Sequence, residues 1–151
     1  MTDHPVQLFV YGTLMPGYGN CERIEHLIRS ARPATTTGIL IDLGSFPGLI
    51  QGDGIVRGVV LEVEKAALTV TDHIEGYVPG RARNLYEREE VSVDLDNGGS
   101  VRAWTYIFGG PKVIADSSRL IIRQQRGKPL YAWNPRDPQS LPNDRSNGSN
   151  S

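Results

Sequence analysis

The chain has a single cysteine, Cys21, so no disulfide can close within it and no thiol pair is available for a zinc cluster. A reducing cytoplasm is the simplest home. It has no apolar run of 18 residues, and Met1-Thr2-Asp3-His4-Pro5 carries no basic region followed by an apolar stretch. Neither export nor membrane insertion is expected. An excess of one charge is missing too: 16 Lys and Arg stand against 17 Asp and Glu, a formal net charge of -1. No global field then recruits nucleic acid or an anionic membrane, and a ligand must be recognised locally. His4, His26 and His73 are scattered, with no His-Glu-x-x-His or Cys-x-x-Cys segment, so no metal site is expected. Ser45 lies outside any Gly-x-Ser-x-Gly elbow, and the run from Gly12 to Gly17 lacks the lysine of a phosphate-binding loop and the three-glycine dinucleotide fingerprint.

What remains is an ordinary globular composition, 38% hydrophobic and 22% charged over 151 residues, which fits one domain. Val6 to Tyr11 reads as a buried first strand that ends at Gly12. Apolar residues at Ile24, Leu27, Ile28 and Ala31 recur at three- and four-residue spacing, which predicts a helix over Cys21 to Ala31 with Asn20 as its cap. Thr35 to Leu43 and Ile55 to Val63 read as strands, the second preceded by a turn at Asp53-Gly54 and the two bridged by an irregular Gly44-Ser45-Phe46-Pro47-Gly48. Lys65 to Ile74 has the composition of a short helix that Gly76 terminates. Tyr86 to Leu95 and Val101 to Phe108 flank Asp96-Asn97-Gly98-Gly99-Ser100, an Asn-Gly hairpin signal. Leu120-Ile121-Ile122 and Leu130 to Trp133 are apolar enough to dock, whereas Pro, Asn, Ser, Asp and Gly dominate from Asn134 onward. The expected organisation is a domain over residues 1–133 and a flexible tail over 134–151. Many strands, two helices and no regular βαβ alternation favour an α+β fold with a largely antiparallel curled sheet or small barrel.

Two segments carry candidate chemistry. In Leu8-Phe9-Val10-Tyr11-Gly12-Thr13-Leu14 a strand breaks at glycine and frees main-chain N–H groups, and glycine there permits either φ > 0 or a close approach of the backbone to a ligand. By itself this also describes a plain tight turn. In Asp72-His73-Ile74-Glu75-Gly76-Tyr77, Glu75 lies at i+7 from Leu68 and i+4 from Thr71, so it continues an inward helical face. The negative end of the helix dipole and burial both disfavour a carboxylate there and raise its pKa towards that of a general base. A solvated acid near a helix end is the competing reading. In Leu85-Tyr86-Glu87-Arg88, alternation puts Tyr86 and Arg88 on one face, as pocket lining or as a cross-strand aromatic and a surface ion pair.

Taken together, Tyr11-Gly12-Thr13-Leu14, the segment Asp72 to Tyr77 and Tyr86-x-Arg88 resemble the gamma-glutamylcyclotransferase-like family, closest to its small bacterial and gamma-glutamylamine cyclotransferase branch. The resemblance implies a mixed, largely antiparallel β-barrel flanked by short helices, with a ligand cavity at one end. It implies cofactor-independent conversion of a gamma-glutamyl amide or peptide into 5-oxoproline and the free amine. Glu75 would be catalytic, Tyr11, Gly12, Thr13 and Leu14 would hold the substrate carboxylate, Tyr86 would line the pocket, and Phe46-Pro47-Gly48 would lie near its mouth. A non-catalytic module that binds such a ligand, or another gamma-glutamyl acyl-transfer enzyme, would use the same residues, because fold does not determine chemistry. The amine portion and the oligomeric state do not follow from the chain.

Overall fold

The computed structural model describes residues 4–43, 46–109, 121–125 and 127–133. Among these residues seven strands run β1 (Val6–Val10), β2 (Ile28–Asp42), β3 (Pro47–Val63), β4 (Tyr86–Leu95), β5 (Ser100–Phe108), β6 (Ile121–Gln125) and β7 (Lys128–Tyr131), with one α-helix, α1 (Ala67–Glu75), between β3 and β4. Strands β1, β5, β4, β2 and β3 pair in that order, and β3 pairs back onto β1, which closes a five-stranded barrel. All of these ladders are antiparallel except the β1–β5 seam, where Leu8 faces Trp104 in parallel. The barrel is therefore mixed and largely antiparallel, as expected. β7 adds to β3 in parallel at Ile55 and Val56, and β6 pairs with β7.

Closure buries both faces of β1 from Leu8 to Val10, and this explains why these three residues are apolar without alternation, while the half-buried Gln7 before them is polar. Phe9 and Tyr11 pack with Ala34, Val56, Val60 and Val93, while Leu8 and Val10 pack with Ile24, Leu61, Val63 and the helix residues Ala67 and Leu68. β2 and β3 form one long hairpin, much longer than the two strands read from the sequence. Its register shifts between Thr37, paired with Ile55, and Ile39, paired with Ile50. The expected turn at Asp53-Gly54 is absent; both residues continue β3 through this irregularity. The Asn-Gly hairpin is present between β4 and β5, with Gly98 and Gly99 at φ 104° and 85° and Asp94 facing Ser100.

The helix expected over Cys21 to Ala31 does not form. Gly19–Arg23 and Glu25–Leu27 are 3-10 turns, and from Ile28 the chain is already strand. Ile28 pairs with Val63 and Ala31 with Leu61, so ladder bonds to β3 override a helical spacing that Gly19, the β-branched Ile24 and Ile28, and Pro33 already weaken. Asn20 is not a cap; Tyr18 occupies that position without a side-chain bond. Near the end of the described chain, Leu130, Tyr131 and Trp133 are buried, as expected of a docking segment. Residues 134–151, the expected tail, lie outside the described residues.

Candidate active site

β1 delivers the Tyr11–Leu14 turn to one end of the barrel. Tyr11 extends the strand's alternation into the core, where its hydroxyl donates to the Tyr106 carbonyl at 2.6 Å and accepts from the Leu49 N–H at 3.2 Å. Burial, the neighbouring Tyr86 and Glu75 hold that hydroxyl well above the ordinary tyrosine range, so it stays a neutral structural bridge. Gly12 follows with Pro47 above it: a Cβ on Gly12 would lie 3.0 Å from both Cγ and Cδ of that ring. Gly12 is not among the positive-φ glycines, so that reason for a glycine does not apply; the group the structure packs against it is the Pro47 ring, a contact the sequence reading did not foresee. Met15 N–H bonds to the Gly12 carbonyl at 3.0 Å and Tyr18 N–H to the Met15 carbonyl at 3.0 Å, so these turns draw on neither the Thr13 nor the Leu14 N–H. The Thr13 hydroxyl accepts from Asn20 Nδ2 at 2.8 Å, and Leu14 is buried against the α1 side of the core.

The end of α1 reaches the same cavity. Leu68 and Thr71 are buried, and the same face brings Glu75 to the cavity as the last helical residue. Gly76 terminates the helix at φ 69°, with its N–H on the His73 carbonyl and the Tyr77 N–H on the Asp72 carbonyl, a Schellman pairing. The cavity measures about 330 Å³, within the range of small-molecule sites. Tyr11, Gly12, Thr13 and Leu14 line it together with Ile74, Glu75, Tyr86, Tyr106 and the buried Pro47, and Phe46 and Leu85 are its exposed apolar residues. Glu75 is the one carboxylate among the described lining residues. Burial pushes its carboxyl from an ordinary 4.5 up to about 7.

The remaining walls are tied to this helix end. The Tyr86 hydroxyl donates to the Pro47 carbonyl at 2.7 Å, and its ring meets Phe108 edge-on at 5.8 Å, so Tyr86 contributes an apolar wall while its polar tip is occupied. The Tyr106 hydroxyl donates to Asp72 Oδ1 at 2.6 Å and sits 2.6 Å from Thr71 Oγ1, which must then donate to it. Arg88 completes the network, Nε to Asp72 Oδ1 at 2.8 Å and a terminal nitrogen to Oδ2 at 3.3 Å. Beyond Gly76, the buried Asn84 gathers the loop by accepting from the Val78 N–H at 3.0 Å and Arg81 Nε at 2.8 Å, which leaves Leu85 exposed at the rim.

The six residues that the resemblance assigned to catalysis or substrate binding, Tyr11, Gly12, Thr13, Leu14, Glu75 and Tyr86, thus line one cavity, as do Phe46 and Pro47 of the expected mouth segment but not Gly48. Those the sequence reading missed are Asn20, which it took for a cap, and Tyr106, which only the β4–β5 register brings to the site opposite Arg88. Arg88 faces Asp72 instead of the cavity, and that pair is largely buried, so neither sequence reading of it applies in full. Among the described residues no group of three or more His, Cys, Asp or Glu could hold a metal ion, and no helix is long and apolar enough to cross a membrane.

A sequence model of the protein family described as "Gamma-glutamyl cyclotransferase, AIG2-like" matches residues 8–134. Gamma-L-glutamyl-butirosin B gamma-glutamyl cyclotransferase of Niallia circulans is 38% identical over 103 residues, which span 67% of this chain and 65% of that relative, so just under two thirds of its length is matched. A gamma-glutamylcyclotransferase family protein of Escherichia coli K12, YtfP, is 28% identical across 77% of this chain and 91% of its own. Among solved structures, an AIG2-like protein of Mus musculus superposes with a TM-score of 0.60 at 23% identity, covering 96% of this chain and 99% of that one; at this identity the likeness concerns the fold.

Proposed function

This chain belongs to the gamma-glutamyl cyclotransferase, AIG2-like family, and we propose that it converts a gamma-glutamyl amide into 5-oxoproline and the free amine. The observation that carries this reading is one partly buried carboxylate, Glu75, lining the same cavity as the Tyr11–Leu14 turn. The substrate supplies its own nucleophile. Its α-amino nitrogen attacks its γ-carbonyl carbon, the new C–N bond closes a five-membered lactam, and the original amide C–N bond breaks to release the amine. No water is consumed and no cofactor is required.

The protein's task is then to bend the glutamyl chain and to handle the protons that leave the attacking nitrogen and reach the departing one. Backbone donors at Thr13 and Leu14 suit the α-carboxylate, and holding the chain bent is the kind of preorganisation that contributes roughly 7 to 11 kcal/mol in favourable intramolecular reactions. Glu75 takes one proton from the α-ammonium group, which frees the lone pair that attacks, and delivers it to the departing nitrogen; the attacking nitrogen gives up a second proton to solvent as the lactam N–H forms, and the released amine takes one up from solvent. With its carboxyl raised to about 7, Glu75 is a stronger base than an ordinary glutamate and still a usable acid near neutral pH. The Niallia circulans relative carries gamma-L-glutamyl-butirosin B in its name, which supports a gamma-glutamyl amide as the substrate class here.

A panel of gamma-glutamyl amines, dipeptides and glutathione scored for 5-oxoproline tests the reading. Release from at least one, abolished in Glu75→Gln by roughly 10²-fold or more while 5-oxoproline still binds, is the expected result. Binding of 5-oxoproline with no turnover of any member would leave a binding module, and a gamma-glutamyl product other than 5-oxoproline would leave a different acyl transfer.

A further inference from the structure

The turn that carries Glu75 is gripped from both sides by one side chain. Arg88 forks onto Asp72, three residues before Glu75, and its guanidinium carbon lies 5.4 Å from the ring centroid of Tyr77, two residues after it. The same guanidinium carbon also lies over the Trp104 ring, 4.9 Å from its centroid. In the β4–β5 ladder Arg88 stands opposite Tyr106, and Trp104 is two residues along β5, so strand alternation places all three on one face against α1. Tyr106 links this cluster to the cavity wall: its hydroxyl bonds Asp72 and its ring lines the site. The ion pair keeps only 17% and 15% of its side-chain surface exposed, so it is shielded from the screening that makes surface pairs weak.

We propose that Arg88 is a positioning residue that fixes the last turn of α1 through Asp72 and Tyr77 and so aims Glu75 into the cavity. This deepens the reading of Glu75 as the proton-transfer group and rests on it. The bidentate fork and the two stacked rings suit arginine specifically: a lysine at position 88 keeps the charge and loses the planar geometry. When the turn loosens, water reaches the Glu75 carboxylate and its raised proton affinity relaxes towards the ordinary value. The titratable groups that share the cavity with Glu75, Tyr11, Tyr86 and Tyr106, are all held protonated well above neutral pH by burial. They do not obscure its titration.

The sign of the shift separates positioning from bare electrostatics. Removal of a nearby cation favours the protonated acid and raises the Glu75 pKa, whereas loosening lowers it; in Arg88→Lys the charge is retained, so a fall there reports geometry. The experiment follows the Glu75 carboxyl by carbon-detected NMR titration in wild type, Arg88→Lys, Arg88→Met and Asp72→Asn, with kcat and KM measured well below each melting temperature. We expect the Arg88→Lys titration to fall by about one pH unit and its kcat by about 10-fold, with KM nearly unchanged, and Arg88→Met to lose about 100-fold, the scale of a misplaced catalytic group. An unchanged Glu75 titration and kcat in folded Arg88→Lys overturns the proposal, even where Glu75→Gln is inactive and the wider reading stands. Should Glu75→Gln retain turnover, the proton-transfer reading fails, while the NMR titration still decides whether Arg88 holds the turn. Asp72→Asn, which keeps the shape of the pair, serves if the Arg88 variants do not fold.

Discussion

Replacing Glu75 by Gln should stabilise the protein while inactivating it, and the gain should depend on pH. The folded chain holds the Glu75 proton up to about pH 7, whereas the ordinary carboxyl value is 4.5. Below about pH 4.5 the group is protonated whether the chain is folded or not, and it costs nothing. As pH rises through about 7 the folded state must either retain a proton that the unfolded chain has lost or bury a charge, and the stability present at low pH is lost. At about 1.4 kcal/mol for each pH unit between the two values, the full penalty above neutrality is about 3 kcal/mol, an upper bound because the cavity admits water. Glutamine fills nearly the same volume and carries no such cost. Thermal melts of both proteins from pH 4 to pH 8 should diverge with rising pH, reaching on the order of 6 to 12 °C in favour of Glu75→Gln for a chain of this size. Because the comparison is between two proteins at one pH, the other titrating groups cancel. Parallel melting curves across that range would refute the buried-carboxylate argument and with it the physical basis for a base near neutrality. Sites that trade stability for function in this way are common where catalysis needs a shifted pKa.

Gly12→Val should weaken 5-oxoproline binding at least 10-fold by calorimetry and leave most of the fold, because a branched side chain must displace the Pro47 ring that stands 3.0 Å from the Cβ position; Gly12→Ala, which asks for only a few tenths of an ångström, should be milder. Tyr11→Phe strands the Leu49 N–H and the Tyr106 carbonyl inside the protein and should cost about 1 to 3 kcal/mol in denaturant unfolding, with a wild-type pH profile of activity. Turnover of wild type should fall as pH drops below about 7, the limb of the Glu75 carboxylate, and a limb near 4.5 would show an unperturbed acid. Truncation at Asn143 should leave melting temperature and turnover unchanged, since the removed residues are polar and rich in Asn and Ser, whereas deletion back through Leu130–Trp133 removes three buried side chains and should unfold the domain.

The contrast between the Gly76 stop and the failed helix over Cys21 to Ala31 shows what kind of information a sequence holds. Gly76, the Asn-Gly hairpin and the apolar β1 run are local signals: a left-handed residue, a glycine-bearing hairpin connection and a strand core buried on both faces each follow from neighbouring residues alone, and all are found where expected. The Ile24, Leu27, Ile28 and Ala31 spacing was equally local and misled, because the ladder to β3 lies more than thirty positions away in the chain and outweighs a weak helical preference. Arg88 marks the same boundary, since alternation placed it beside Tyr86, but its partner Asp72 and the aromatic pair around it depend on how α1 docks on β4 and β5.

By itself the sequence determined the strand-rich composition, the glycine break after β1, the end of α1 and the inward register of Glu75, because each is set by periodicity or by the backbone freedom of a single residue. Only the tertiary structure decided that Gly12 is needed for its contact with Pro47 and not for a positive φ, that burial lifts the Glu75 carboxyl, and that Tyr106 and Arg88 belong with it. Those properties arise from groups far apart in the chain meeting across a closed barrel, and the register and desolvation that produce them exist only once it has closed.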